Sequence, residues 1–214
     1  YYDYFRCLSV CHAVTIGESE DQLDANGNPQ KKYNGMSPDE VALVLAAAEN
    51  GFTMTEREMQ EGFDTMWIKQ EGQDIDHRYE LIYEFEFDSD RKRQSVVVWA
   101  NEPGKPKKRM LLTKGADNVM KPLLKAFPDD CDDQINHFAK LGLRTLILAQ
   151  KELPDKVYLP WEKTMKEAQQ ALEGRDEKKK KCWAALENEL DFIGITAVED
   201  RLQDGVPDTI SMLR

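Results

Sequence analysis

The chain lacks any stretch approaching the ~20 consecutive apolar residues that a membrane-spanning helix needs, and no signal-peptide pattern opens it. Cysteine is scarce. Cys7, Cys11, Cys131 and Cys182 are irregularly spaced, which excludes a disulfide framework and points to reduced thiols in a cytosolic setting. Cys7, Cys11 and His12 share a helix face, but no further ligands stand at zinc-site spacing, so they read as small residues on a buried face. Positive charge is also short, with 29 basic against 40 acidic residues and a net charge of -11. That balance argues against broad binding to nucleic acid or anionic lipid, which depends on clustered cations, yet it permits a small local pocket for an anion.

What is present is a globular composition, 41% hydrophobic and 32% charged over 214 residues, long enough for one large core. The start at Tyr1 without methionine and the end at Arg214 inside a helical pattern are expected of a fragment of a longer chain. Residues 2 to 16 carry helical spacing through Phe5, Leu8, Ser9 and His12. The acidic, turn-rich segment of about 17–35 reads as a mobile surface loop. "SPDEVALVLAAAENGF" predicts a helix with Ser37 as cap, Pro38 at its first position, Glu40 completing a capping box and Gly51 stopping it.

From Tyr79 the period changes to two. Tyr79, Leu81, Tyr83, Phe85 and Phe87 are expected on one face of an antiparallel strand, with Glu80, Ile82, Glu84 and Glu86 on a solvated face. "QSVVVWA" returns and "RMLLTK" follows, a three-stranded meander. Residues 115–127 and 132–142 predict helices, the first capped by Asp117, and "LRTLILAQKEL" a strand. Residues 160–190 predict one or two amphipathic helices, with Trp161, Met165, Ala168 and Leu172 on one stripe and Trp183, Leu186 and Leu190 on the next, Lys178 to Lys181 forming a solvated face. "DFIGITAV" has the purity of a buried parallel strand, which predicts a second domain from residue 192.

Five motifs stand in order: "SPDE" (37–40), "FDSDRKRQSV" (87–96), "TKGAD" (113–117), "LGLRT" (141–145) and "EDRLQDGVP" (199–207). Each is weak alone. Together they resemble the nucleotide-binding domain of the type IV P-type ATPases, the phospholipid flippases, over nearly the whole chain. The resemblance implies an α/β (α+β) fold, an antiparallel twisted sheet flanked by helices, over residues 1–191. It further implies that 192–214 is a hinge and the first strand-loop-helix of a haloacid-dehalogenase-like phosphorylation domain.

Read locally, Glu40 completes the capping box; the resemblance gives it a contact to the adenine side of ATP, and the two roles are compatible. Phe87 is either the last core aromatic of its row or a ring with one face open for stacking on adenine. Lys114 is a solvated cation or a cation of the nucleotide pocket, beside Gly115, where backbone can approach a ligand. Arg144 is a salt-bridge partner of some carboxylate or a planar donor fork for phosphate. By the resemblance the nucleotide set is Glu40, Phe87, Ser89, Lys114, Gly115, Arg144 and Thr145, with Asp39, Asp200 and Asp204 as further candidates. The basic triplet Arg91, Lys92 and Arg93 is expected to lend positive potential to a polyphosphate without individual roles.

The family's "DKTGT", "TGD" and "GDG" motifs do not occur in this sequence, so no catalytic residue and no metal ligand is assigned within it. The resemblance then implies a chain that binds ATP without hydrolysing it, with Mg2+ coordination completed elsewhere. Its partners would be the phosphorylation and actuator domains of the same chain, phospholipid only through membrane helices outside these residues, and an accessory subunit, with no nucleic acid. That is a cytosolic domain of a multi-pass membrane protein. Three other readings compete: a nucleotide-sensing module fused to another catalytic domain, the same domain of another P-type pump, and, on composition alone, an acidic interaction domain.

Overall fold

In a computed structural model of the protein, residues 1–23, 29–199 and 211 are described. Helix α1 (Tyr2–Val10) is followed by a hairpin of β1 (Thr15–Leu23) and β2 (Pro29–Asn34), then by α2 (Pro38–Glu49). Strands β3 (Phe52–Gln60), β4 (Phe63–Gln70), β5 (His77–Asp88), β6 (Arg93–Asn101) and β7 (Lys108–Gly115) run next. After α3 (Asp117–Met120) and α4 (Asp130–Lys140) come β8 (Arg144–Glu152), α5 (Asp155–Gln170), α6 (Arg175–Leu186) and β9 (Asp191–Val198). Strands β3 to β9 form one seven-stranded sheet in sequence order, every neighbour antiparallel.

The sheet lies between two helical layers. Helices α1 and α2 bury Cys7, Cys11, Val44 and Ala47 against Val96, Val98 and Leu112. On the other face α5 and α6 bury Trp161, Met165 and Trp183 against Phe85, Val97 and Leu111. The run Val96-Val97-Val98 serves both cores in alternation, which is why a central strand needs three consecutive β-branched residues.

The expected single row on β5 is corrected. The register steps from Leu81↔Val98 to Tyr83↔Val97, so Ile82 is an extra residue. A bulge of one residue exchanges the faces of everything beyond it. Tyr79 and Leu81 therefore pack with α1 and α2, whereas Tyr83 and Phe85 pack with α5 and α6. The supposed solvated face is covered at one end and open at the other: Glu80 is buried, with both carboxylate oxygens 2.9 Å from Lys107 Nζ, and Glu86 is exposed.

Residues 52–70, unassigned from the sequence, form the β3–β4 hairpin. Glu61 and Gly62, at φ 52 and 87, supply the two left-handed residues that a tight turn between twisted strands requires. The described residues of the 17–35 segment, expected as a loop, form two antiparallel strands, with Glu18 opposite Lys31 and Gly17 opposite Lys32, while residues 24–28 lie outside the described residues.

The helix expected over 115–127 ends at Met120 and tightens into a 3-10 turn, Lys121–Leu123, because Pro122 offers no amide hydrogen. Asp117 is its first helical residue, behind Ala116, and makes no capping bond. Leu172 lies past the end of α5 and is exposed, off the stripe assigned to it.

Strand β9 is antiparallel to β8, from Arg144↔Val198 to Gln150↔Asp191, and so extends the first sheet instead of starting a parallel one. Its apolar purity has a different cause: both faces are covered at the sheet edge. Ile193 packs into the α1–α2 core, and Phe192 and Ile195 into the other. Tyr4 Oη donates to the Ile195 carbonyl at 3.1 Å, and a Cβ on Gly194 would meet that ring at 2.8 Å. Of the remainder of 192–214, residues 200–210 and 212–214 lie outside the described residues, among them Asp200 and Asp204.

Candidate functional site

Helix α2 begins after Ser37, which is extended at φ -114, ψ 125, yet makes no side-chain capping bond. The capping box is therefore not formed. Glu40 turns to the sheet instead, where its Oε1 accepts from Lys114 Nζ at 2.9 Å. Both side chains are largely enclosed, at 8% exposure for Lys114 and 15% for Glu40. An ammonium so placed is tolerable only with its counter-ion. One residue earlier, Asp39 Oδ2 accepts from Arg144 Nη1 at 3.2 Å on the exposed rim. The first turn of α2 thus joins the end of β7 to the start of β8, and brings Asp39, Glu40, Lys114 and Arg144 together. Thr145, next to Arg144, is half-buried.

The floor of this region comes from Gln94, Glu84, Cys11 and His12, none of them in the nucleotide set expected from the sequence. Lys114 stands opposite Gln94 on β6. Gln94 Nε2 donates to Glu84 Oε1 at 3.2 Å, and the Cys11 thiol donates to the Gln94 carbonyl at 3.7 Å. Burial pushes the Glu84 carboxyl up, against the Gln94 amide and Arg57, while Glu86 and Glu40 add to the rise. Burial likewise holds the Cys11 thiol well above its ordinary range. His12, fully enclosed nearby, is held down to about 3 by burial and then by Lys114 and Arg57.

Phe87 lies at the end of β5. The register irregularity between Phe85↔Ser95 and Asp88↔Arg93 sets both Glu86 and Phe87 against Gln94 alone. The second bulge releases Phe87 from the core row: it is 64% exposed, while Phe85 two residues earlier is fully buried against Trp161 and Trp183. Phe87 is thus not the last core aromatic of its row. Ser89 is exposed in the following turn, where Asp90 N donates to Asp88 Oδ1 at 2.8 Å.

The basic triplet does not face this region as expected. Arg91 and Arg93 both bind Glu187, a fully buried carboxylate on the opposite side of the sheet. Arg91 Nη2 donates to its Oε1, Arg93 Nε to its Oε2 at 2.8 Å, and Ser95 Oγ to Oε1 at 2.6 Å. The Arg91 guanidinium also lies 4.7 Å over the Trp183 ring. Lys92 alone of the three is exposed, in a left-handed turn at φ 49. Arg91 and Arg93 are therefore an internal clamp on one buried carboxylate, and Lys92 stays at the surface. Sequence offered no sign of this, because Glu187 is 94 residues from Arg93.

Gly115 is required by the same clamp. A Cβ there would meet Arg93 Cβ at 2.5 Å and the Lys92 carbonyl at 2.9 Å, and Ala116 N donates to that carbonyl at 3.0 Å. Close backbone packing requires the glycine here.

Among the described residues no group of three His, Cys, Asp or Glu is placed to hold a metal ion, and no helix is long and apolar enough to cross a membrane. Chemically the region offers an open aromatic ring, an amide, an enclosed ammonium–carboxylate pair and a guanidinium at the rim. This set fits a flat heteroaromatic ring joined to an anionic group.

Residues 1–205 match the family described as P-type ATPase, cytoplasmic domain N. The chain is 38% identical over 216 residues to Phospholipid-transporting ATPase 10 of Arabidopsis thaliana, covering 98% of the chain and 17% of that protein. It is 37% identical over 213 residues to Phospholipid-transporting ATPase IC of Homo sapiens, covering 98% of the chain and 16% of that protein. A match to Phospholipid-transporting ATPase 2 of Arabidopsis thaliana reaches 41% over 184 residues, 85% of the chain and 16% of that protein. The chain thus spans about one sixth of the length of these relatives.

Proposed function

Since this chain belongs to the P-type ATPase family, as its cytoplasmic domain N, we propose that it binds ATP between the first turn of α2 and the ends of β5 to β8. Adenine stacks on the open face of Phe87. Lys114, held by Glu40, meets the base side, and Arg144 exchanges its rim contact with Asp39 for the phosphates. Ser89, Thr145 and the backbone at Gly115 line the remaining approach. The observation that carries this reading is the exposed Phe87 ring at the same sheet end as the enclosed Glu40–Lys114 pair.

A stacked base contributes roughly 1–3 kcal/mol, and a guanidinium is suited to phosphate oxygens. Mg2+, when bound, screens the phosphate charge; no described acidic cluster supplies its site. The phosphoryl acceptor is an aspartate absent from this sequence, so the residues here bind and orient the nucleotide for in-line transfer to the phosphorylation domain. The actuator domain and an accessory subunit complete the proposed assembly. The whole protein would couple this ATP use to phospholipid translocation, an assignment supported by the names of its relatives.

Titration with ATP and ADP, followed by NMR, tests the reading. Dissociation constants from high micromolar to millimolar are expected, roughly -4 to -6 kcal/mol, similar for the two nucleotides, with shifts at Phe87 and Lys114 and no ATPase turnover by the purified chain. An unperturbed Phe87 at saturating ATP would overturn it.

A further inference from the structure

Phe87 presents its ring to solvent from a bulge in which two residues stand against one. A ring so placed has little packing of its own to fix its direction. Both of its neighbours in the chain are nevertheless tied to α6. Before it, the Glu86 carbonyl accepts from Arg91 Nη1 at 2.9 Å, and Arg91 is in turn held by Glu187 and the Trp183 ring. After it, Asp88 has both carboxylate oxygens engaged. Its Oδ1 accepts from Asp90 N at 2.8 Å, which folds the turn, and its Oδ2 accepts from Lys180 Nζ. Lys180, Trp183 and Glu187 follow one another at i, i+3 and i+7, so one stripe of α6 and its C-cap carries all three anchors. Trp183 and Glu187 belong to the interior, whereas the Lys180 and Asp88 side chains reach solvent, at 45% and 24% exposure.

We infer that Lys180 is a positioning residue for the nucleotide site: by holding Asp88 it fixes the turn that aims the Phe87 ring, and so strengthens binding of the base through that turn. The inference rests on the nucleotide reading above. It goes beyond that reading by giving a role to the lysine run of α6, expected from the sequence as a solvated face and absent from the motif set. The physical basis is preorganisation. A turn free to sample other geometries holds the ring in its stacking position for only part of the time, and the apparent dissociation constant rises by the inverse of that fraction. An exposed charge pair shifts such an equilibrium about twofold to fivefold.

Adenosine separates this role from a charge effect, because it carries the base and no phosphate. In NMR titrations Lys180→Gln is expected to weaken ATP and adenosine alike, by about twofold to fivefold, with the melting temperature unchanged. Lys180→Glu, which sets a carboxylate beside Asp88 and Asp90, should weaken both further, and Lys180→Arg should restore wild-type binding. Lys178→Gln removes the same charge from an exposed position of the same helix and should leave adenosine binding unaltered. A Lys180→Gln protein that loses affinity for ATP alone would make the lysine a source of positive potential only, and would overturn the inference. A loss that appears only in step with a lower melting temperature would overturn it as well. If Phe87 shifts with ATP but Lys180→Gln binds both ligands as wild type does, this inference alone fails. If neither ligand perturbs Phe87 in wild-type protein, the nucleotide reading fails and takes the inference with it.

Discussion

Lys114 and Glu40 lie 74 residues apart in the chain and 2.9 Å apart in space, the ammonium at the end of β7 meeting the carboxylate in the first turn of α2. With so little solvent at either group, each needs the other. Removing the ammonium leaves a largely enclosed carboxylate without its partner, and Lys114→Ala should therefore destabilise by about 3 kcal/mol. The double variant Lys114→Met with Glu40→Gln should recover much of this. Denaturant unfolding of the three proteins provides the check; equal stability of Lys114→Ala and wild type would mean that the pair is solvated in solution.

Phe87 and Phe85 offer an internal contrast. Phe87→Ala should melt within a few degrees of wild type and weaken ATP by roughly 1–3 kcal/mol, about tenfold to a hundredfold. Phe85→Ala removes a ring stacked 5.2 Å from Trp183 and should cost about 3–5 kcal/mol of stability. Calorimetry and thermal denaturation measured on both variants must separate the two effects. A Phe87→Ala protein that unfolds would place that ring in the core after all.

Glu187 accepts from Arg91, Arg93 and Ser95 with no solvent contact. Glu187→Ala should cost about 3–5 kcal/mol, since two guanidinium groups lose their counter-ion while remaining enclosed. Hydrogen exchange should show the 88–93 turn opening first, because the clamp ties that turn to the end of α6. A loss below about 1 kcal/mol, the range of exposed ion pairs, would contradict the buried clamp.

His12 Nδ1 accepts from Val14 N at 3.1 Å while Nε2 lies 2.8 Å from the Ser9 carbonyl, an arrangement for the neutral ring with hydrogen on Nε2. Its value is lowered from 6.5 to about 3, first by burial, then by Lys114 and Arg57. A depressed folded value means that the unfolded chain binds the proton more readily. The stability contribution is complete above pH 6.5 and falls as pH drops toward 3, by about 1.4 kcal/mol per pH unit for this group. Imidazole NMR between pH 8 and 5 should show no titration of His12 in the folded protein; a midpoint near 6.5 would refute the assignment.

Much of the site was legible because its signals are local. Pro38 after Ser37 marks a helix start, and Lys114 before Gly115 marks a strand end, whatever the rest of the chain does. The register did not follow from these. A one-residue bulge at Ile82 reverses which face of β5 is core, and period-two reading has no means of locating an inserted residue. The β3–β4 hairpin escaped for a related reason: Met59 and Phe63 are apolar yet exposed near its tip, so alternation is faint there.

Composition and five ordered motifs were enough to determine the fold class and the family. Those properties depend on which residues occur and in what order. Tertiary structure alone decided that Arg91 and Arg93 serve Glu187 instead of an anionic ligand, that Glu40 pairs with Lys114 instead of Ser37, and that "DFIGITAV" closes the first sheet. The physical reason is common to all three. A charge or an apolar strand takes the partner that completes its desolvation, and that partner is chosen by packing across 41 to 96 residues of sequence.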